Sequence, residues 1–113
     1  MDRNTQDNLL NLFSSKFTRA MKYYLDTCTR CGVCTEACHV YASMGQVKYI
    51  AAYRAEIIRR LYKKYFKTRG KVWPSVGEAK ELTETAVEEL FEAAYSCTGC
   101  RRCMVYCPFG IDT

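Results

Sequence analysis

Apolar residues recur every three or four positions in three stretches of the chain, which is the spacing of one face of an α-helix. In the first stretch this face comprises Leu9, Leu10, Phe13, Phe17, Ala20, Met21 and Tyr24. Polar residues lie between its members, among them Lys16, Arg19 and Lys22. The pattern predicts one amphipathic helix that leads towards residue 28.

The second and third stretches predict two further helices. The second helix should run from about Val47 to Phe66 and end near Gly70, after a run of basic residues that suits a helix C-terminus. Its apolar face comprises Ile50, Tyr53, Ile57, Leu61 and Tyr65. Trp73-Pro74 should then interrupt the chain, and Ser75-x-x-Glu78 has the form of a capping box that opens the third helix. The apolar face of the third helix is predicted on Leu82, Ala86, Leu90 and Ala94, with Val87 and Phe91 beside it.

Few segments alternate apolar and polar residues for long enough to form a strand, so we predict a mainly α fold. A chain of 113 residues suffices for one domain with a modest core, and its two prolines and six glycines lie at junctions rather than in a linker. We therefore predict a single domain over residues 1–113. It should comprise a leading helix (1–27), a first motif (28–38), a helical insertion (39–96) and a second motif (97–107).

Eight cysteines form two copies of one motif. Cys28-x2-Cys31-x2-Cys34-x3-Cys38 returns as Cys97-x2-Cys100-x2-Cys103-x3-Cys107. Such a set indicates either four disulfides in an oxidising compartment or metal ligation in a reducing one. The first eight residues do not have the pattern of a secretory signal, and no stretch of about 18 apolar residues occurs. We therefore expect a cytoplasmic, reduced protein without a membrane span.

The C-x2-C-x2-C-x3-C spacing is typical of bacterial ferredoxins, in which three thiolates bind one cluster and the fourth binds the other. Two-residue gaps let a tight loop turn three sulfurs inwards, and the three-residue gap places the fourth sulfur one helical turn away. We therefore predict two [4Fe-4S] clusters on the order of 10 Å apart, close enough for electron tunnelling. The first cluster is assigned to Cys28, Cys31, Cys34 and Cys107, and the second to Cys97, Cys100, Cys103 and Cys38.

Residues beside the cysteines fit this interpretation. Gly32 and Gly99 permit a close approach of the backbone, whose amides would donate hydrogen bonds to cluster sulfurs. Pro108 follows the last ligand and turns the chain away, whereas His39 takes the equivalent place in the first motif. We interpret His39 as a residue that covers a cluster or faces solvent, in preference to one that couples a proton to reduction.

Zinc, in two sites of four thiolates each, is the main alternative to iron–sulfur clusters. Zinc sites usually pair two C-x2-4-C units, so the third cysteine at a further two-residue gap would be superfluous. The net charge of +5 does not by itself indicate a nucleic-acid partner, because two clusters with their thiolates would lower it to about +1.

Basic residues crowd the second predicted helix and the segment that follows it. They are Arg54, Arg59, Arg60, Lys63, Lys64, Lys67, Arg69 and Lys71, interleaved with Tyr53, Tyr62 and Tyr65. A solvated helix face is the preferred interpretation, docking to an acidic redox partner is the second, and nucleic-acid binding is the last, since no base-reading motif accompanies the charge. The aromatic residues themselves are predicted to belong to the core.

The two complete cysteine runs, with a helical insertion between them, resemble the α-helical dicluster ferredoxin domain. The second run ends in Cys107-Pro108-Phe109-Gly110-Ile111-Asp112, and the resemblance extends from about Phe17 onward. That domain occurs in the C and D subunits of heterodisulfide reductase, in the iron–sulfur subunit of the sulfite-reduction membrane complex, and in the C subunit of anaerobic glycerol-3-phosphate dehydrogenase. Succinate dehydrogenase iron–sulfur subunits share its architecture, although their pattern loses one cysteine and the runs here do not. The resemblance implies an α-helical ferredoxin fold with two cluster-binding loops separated by a helical insertion.

By this resemblance the chain transfers electrons between a flavin, cytochrome or hydrogenase partner and a catalytic subunit that holds CCG domains, within an anaerobic oxidoreductase. A peripheral membrane complex is compatible with it. The sequence departs from the family at His39, where proline is common, and it contains no CCG segment, so we expect no catalysis from these residues alone. The alternative function is a metal-stabilised module that docks to an acidic partner or to nucleic acid through its basic helix.

Overall fold

The computed structural model describes residues 1–67, 72 and 81–112, and the regular structure within them is helical. The α-helices are α1 (Arg3–Lys16), α2 (Arg19–Thr27), α3 (Cys34–Ala37), α4 (His39–Met44), α5 (Ala51–Tyr65), α6 (Glu84–Tyr95) and α7 (Arg102–Tyr106). A 3-10 turn, Val47–Tyr49, precedes α5. The prediction of a mainly α fold is confirmed.

The leading segment forms two helices rather than the single helix that the apolar spacing predicted. The break lies at Phe17 and Thr18, where Thr18 adopts an extended backbone and its hydroxyl accepts a hydrogen bond from the amide of Met21 at 3.2 Å. Phe17 turns inwards and packs against Tyr62 and Phe66, with ring centroids 5.4 and 4.8 Å away. The prediction of one continuous helix was wrong because an N-cap threonine and a buried aromatic contact together favour a bend.

Helix α5 is the centre of the molecule and packs against α3, α6 and the 3-10 turn. It begins at Ala51, after an extended Ile50, so the predicted second helix is interrupted near its start. The predicted end at Gly70, the break at Trp73-Pro74 and the capping box at Ser75 lie outside the described residues. The buried apolar residues around α5 are Leu25, Ala37, Tyr49, Ala51, Ala55, Ile57, Leu61, Tyr62, Leu82, Ala93 and Ile111.

The third predicted helix is shorter than expected and covers only part of the predicted apolar stripe. Helix α6 is capped by Thr83, whose hydroxyl accepts a hydrogen bond from the amide of Ala86 at 3.3 Å, and Leu82 is buried but precedes the helix. The predicted stripe is present in part: Leu82 is buried and Ala86 and Leu90 are half-buried, whereas Ala94 is exposed and Ala93 is buried in its place. The contact of α6 with α5 decides which side of the end of the helix is covered.

The basic residues of α5 are not a uniformly solvated face. Arg59 is 3% exposed and donates to the carboxylate of Glu56 at 2.7 Å. Lys64 pairs with Glu81 at 2.7 Å and Lys67 with Asp26 at 2.6 Å. The interpretation as a solvated face was therefore wrong for Arg59, while Arg69 and Lys71 lie outside the described residues.

The aromatic residues of the same helix fit the prediction of core packing in part. Tyr62 is 8% exposed and belongs to the core, while Tyr53 and Tyr65 are half-buried.

Within the described part of the chain, none of the helices is both long enough and apolar enough to cross a bilayer.

Candidate metal centres

The eight cysteines line two cavities, and each cavity takes three cysteines from one motif and the last cysteine of the other. The first cavity is lined by Cys28, Cys31, Cys34 and Cys107. The second is lined by Cys38, Cys97, Cys100 and Cys103. All eight lie within the described residues and none forms a disulfide. The grouping coincides with the two ligand sets that the spacing predicted.

Two short helices produce this exchange. Helix α3 begins at Cys34 and ends just before Cys38, and α7 carries Cys103 and ends just before Cys107. Both terminal cysteines have an extended backbone, and α3 packs against α7. Each helix therefore contributes its earlier cysteine to one cavity and the cysteine after its last residue to the other.

The two cysteine loops share one backbone shape with different residues. In the first loop Arg30 and Gly32, on either side of Cys31, have positive φ angles of 60° and 79°. In the second loop Gly99 and Arg101 occupy the equivalent places, with φ angles of 68° and 59°. Arginine and glycine have exchanged positions, and the backbone has kept its conformation. Sequence reasoning found the two glycines but missed the arginines, which only an alignment of one motif with the other would have indicated.

Left-handed residues spaced in this way turn successive backbone amides towards the inside of a loop, which creates a concave site for anions and for iron–sulfur clusters. In the second loop, the amide of Gly99 donates to the sulfur of Cys97 at 3.4 Å. An arginine in this conformation costs about 1 kcal/mol relative to the right-handed one. The two loops therefore carry backbone strain at Arg30 and Arg101, where the backbone curves around a cavity.

The thiols of the two cavities differ in their electrostatic surroundings. Burial raises the pKa of Cys34 in the first cavity. A hydrogen bond from the backbone amide of Arg102 lowers the pKa of Cys100 in the second.

Tyr24 lies near both sets of cysteines, because it lines the first cavity and also a pocket whose lining includes Cys97 and Cys103. Burial raises the pKa of Tyr24, whose hydroxyl donates to the carbonyl oxygen of Ala51 at 3.4 Å.

His39 lies against the second loop. Its Nε2 is 3.1 Å from the hydroxyl of Thr98, and its Nδ1 is 3.7 Å from the sulfur of Cys100. The residue is exposed and begins α4 directly after Cys38. These contacts are those of a residue that covers the edge of the second cavity.

The donor groups suit an iron–sulfur cluster. Four thiols line each cavity, which is the ligand set of a [4Fe-4S] cluster. Beside the second cavity, the Nε and Nη2 atoms of Arg54 are buried without a hydrogen-bond partner among the described residues. Buried donors of this kind are rare, and a sulfur-rich anion would supply acceptors for them. Among residues 1–67, 72 and 81–112, no three or more His, Cys, Asp or Glu side chains are grouped so as to hold a single metal ion.

Comparison with known proteins agrees with this chemistry. Residues 24–111 match the family of 4Fe-4S dicluster domains. The chain belongs to this family. Membership confirms the predicted resemblance, and the matched residues include all eight cysteines.

The dicluster domain has relatives among archaeal oxidoreductases. It is 44% identical over 95 residues to the Hdr-like menaquinol oxidoreductase iron-sulfur subunit 2 of Archaeoglobus fulgidus, which covers 84% of this chain and 17% of the relative. It is 36% identical over 115 residues to the corresponding iron-sulfur subunit of Archaeoglobus profundus, which covers 100% of this chain and 21% of the relative.

A more distant relative is the D subunit of the dihydromethanophenazine:CoB–CoM heterodisulfide reductase of Methanosarcina acetivorans. Its identity is 33% over 89 residues, which covers 79% of this chain and 21% of the relative. The chain thus spans about a fifth of the length of these curated relatives. No solved structure matches it.

Proposed function

We propose that this dicluster domain holds two [4Fe-4S] clusters and transfers single electrons within a larger oxidoreductase of the heterodisulfide-reductase type. The observation that carries the proposal is the gathering of four cysteines around each of two neighbouring cavities. A [4Fe-4S] cluster bound by four thiolates accepts and releases one electron with little change in its surroundings.

The proposed ligands follow the two cavities. The first cluster is bound by Cys28, Cys31, Cys34 and Cys107, and the second by Cys97, Cys100, Cys103 and Cys38. Because each cluster takes a ligand from both motifs, residues 1–113 are proposed to fold as one domain whose stability depends on the metal.

The chain's own residues would position and shield the clusters. In the second loop the amide of Gly99 donates a hydrogen bond to the sulfur of Cys97, and bonds of this kind help to set the reduction potential. Helix α3 with the cysteine that follows it supplies one ligand to each cluster, and α7 does the same. The two clusters are therefore proposed to be separated by the length of one short helix. Ile111, which is 2% exposed, and Tyr24 line the first cavity and limit the access of water.

Redox partners are proposed to lie in other parts or subunits of the same complex. The names of the relatives denote a menaquinol oxidoreductase and a heterodisulfide reductase, so quinol or disulfide chemistry is proposed for those other parts. Docking through the basic helix α5 is not favoured, because Arg59 and Lys64 of this helix, and Lys67 just after it, already pair with carboxylates of the chain itself.

The test is metal analysis and reduction of the 113-residue chain purified without oxygen. We expect about eight irons and eight sulfides per chain, visible absorbance that bleaches with dithionite, and two one-electron steps in a redox titration. Two zinc ions without sulfide would overturn the proposal. Four irons and a single reductive step would overturn the assignment of two clusters.

A further inference from the structure

Helix α5 presents different side chains to the two cysteine cavities. Ala52 lines the first cavity, whereas Arg54 lines the second. The two residues are two positions apart and therefore project about 200° apart around the helix axis. The helix therefore contributes only the methyl group of Ala52 to the first cavity, but both Ala51 and the guanidinium group of Arg54 to the second.

The guanidinium group of Arg54 is held in an unusual state. Its Nε and Nη2 atoms are buried and have no hydrogen-bond partner among the described residues. Leaving a buried charged donor without an acceptor is strongly unfavourable. Arg59 on the same helix shows the ordinary arrangement, since its donors bind Glu56 and the carbonyl oxygens of Leu25 and Cys28.

The surroundings of Arg54 indicate which anion would satisfy it. The residue lines the second cavity with its four cysteines, and it also lines an adjoining pocket with Leu90, Ala93, Cys97 and Cys103. That pocket is largely apolar, so water competes poorly for the guanidinium charge. The other charged residues that line the second cavity, Arg101 and Asp112, are both exposed and opposite in sign.

We propose that Arg54 donates hydrogen bonds from Nε and Nη2 to sulfur atoms of the second cluster and raises the reduction potential of that cluster. The proposal rests on the proposed function, because it requires a cluster bound by Cys38, Cys97, Cys100 and Cys103. Reduction adds one electron to an anionic cluster, and a buried cation stabilises the added negative charge. Arg54 thereby makes the second cluster the better electron acceptor of the pair.

Among the described residues that line the first cavity, no side chain has buried donor atoms without a partner as Arg54 has. The arginine at this cavity, Arg30, is exposed and lies 3.4 Å from the carboxylate of Glu56, which offsets its charge. An electron that leaves the first cluster and arrives at the second therefore moves towards the guanidinium group of Arg54.

The test is an anaerobic redox titration of the 113-residue wild-type chain and of Arg54→Gln, monitored by electron paramagnetic resonance. The variant is expected to retain about eight irons. The equilibrium constant for reduction of the second cluster should fall at least tenfold. For one electron, a tenfold fall lowers the midpoint potential by about 59 mV. Cys100→Ser identifies the spectrum of the second cluster, and Cys31→Ser identifies that of the first.

The matched control is Arg60→Gln, which removes the same charge from the same helix at a residue that pairs with Glu56. The midpoint potential of the second cluster in this variant should equal that in the wild-type chain. Full iron content with an unchanged midpoint in Arg54→Gln would overturn the role of Arg54 and leave the cluster assignment intact. A wild-type chain without iron and sulfide would instead overturn the proposed function itself.

A second measurement does not depend on the stability of the variant. Wild-type protein is labelled with arginine that carries 15N only in its guanidinium group, and pulsed electron paramagnetic resonance is recorded on the reduced clusters. We expect weak hyperfine coupling between the 15N nuclei of a guanidinium group and the unpaired electron of the second cluster. Absence of that coupling would overturn the proposal even if Arg54→Gln fails to hold iron.

Discussion

Glu56 and Arg59 form an ion pair inside the molecule, with 2.7 Å between Glu56 Oε2 and Arg59 Nη1. Arg59 also donates from Nε to the carbonyl oxygen of Leu25 at 3.0 Å and from Nη2 to that of Cys28 at 3.4 Å. Arg30 approaches the other oxygen of Glu56 at 3.4 Å. This pair joins α5 to the end of α2 and to the first cysteine loop.

Replacing Glu56 with glutamine should destabilise the protein. The substitution leaves the charge of Arg59 buried without a counter-ion, and removal of one partner of a buried pair costs about 3 kcal/mol. We expect a lower denaturation midpoint, measured by far-ultraviolet circular dichroism on the anaerobic protein. The first cluster should also be lost sooner during denaturation than in the wild-type chain.

Glu81→Gln is the matched control for this prediction. Glu81 makes a similar 2.7 Å contact with Lys64, but at the surface, where such pairs contribute little. Its denaturation midpoint should stay close to that of the wild-type chain. Equal losses in the two variants would show that burial of the Glu56–Arg59 pair does not matter.

Replacing Cys107 with serine should alter the first cluster although the residue belongs to the second motif. Cys107 lines the cavity of Cys28, Cys31 and Cys34, and an oxygen ligand changes the magnetic spectrum of the cluster that it binds. The spectrum of Cys107→Ser should therefore change in the same signal as that of Cys31→Ser.

Cys38→Ser provides the reciprocal experiment, because Cys38 lines the cavity of the second motif. Its altered signal should match that of Cys100→Ser. If Cys107→Ser instead resembles Cys100→Ser, each motif binds its own cluster and the exchange of ligands is disproved.

Replacing Arg101 with glycine should stabilise the protein. Arg101 is exposed and has a φ angle of 59°, a conformation that glycine adopts without the penalty that a side chain imposes. The expected gain is about 1 kcal/mol in the free energy of unfolding. It is measured by anaerobic denaturation of protein with full iron content.

The neighbouring Arg102→Gly is the control for Arg101→Gly, because it makes the same substitution at the first residue of α7. Glycine loses more backbone freedom on folding than arginine does, and Arg102 has no positive φ angle for glycine to relieve, so this variant should lose stability. The two adjacent substitutions should have opposite signs. Destabilisation in both would mean that the backbone strain at Arg101 is not the dominant effect.

Removal of iron with a chelator should release the cysteine loops before it releases α5. Helices of four and five residues, α3 and α7, are too short to persist without tertiary support, whereas α5 has 15 residues and a buried face. Hydrogen exchange measured by mass spectrometry should therefore rise most in residues 28–38 and 97–107. A uniform rise over the whole chain would contradict the metal-dependent stability of the loops.

The leading segment illustrates where sequence reasoning succeeded and where it stopped. The apolar spacing indicated helical structure from Leu9 to Tyr24, and that structure is present except at the break. The bend at Phe17 and Thr18 depends on Tyr62 and Phe66, which are distant in the sequence. A threonine within a helical pattern is compatible with both a continuous helix and an N-cap, so periodicity alone does not decide between them.

The cysteine loops also contain one feature that the sequence predicted and one that it did not. Gly32 and Gly99 were predicted to permit close approach of the backbone, and both have positive φ angles. Arg30 and Arg101 adopt the same conformation without any local signal in the sequence, because arginine rarely adopts it on its own. Their conformation follows from the shape that the loop must take around its cavity.

By itself, the sequence determined the helical character of the chain, the positions of the eight cysteines and the spacing that links them to iron–sulfur chemistry. These are local properties, since helical periodicity and ligand spacing act over a few residues. Only the tertiary structure decided which arginines of α5 are buried and what each one meets. The rotation of α5 against α3 and α6 directs Arg59 to the carbonyl oxygens of Leu25 and Cys28 and Arg54 to the second cavity. That rotation is set by packing between segments far apart in the chain, and local pattern does not encode it.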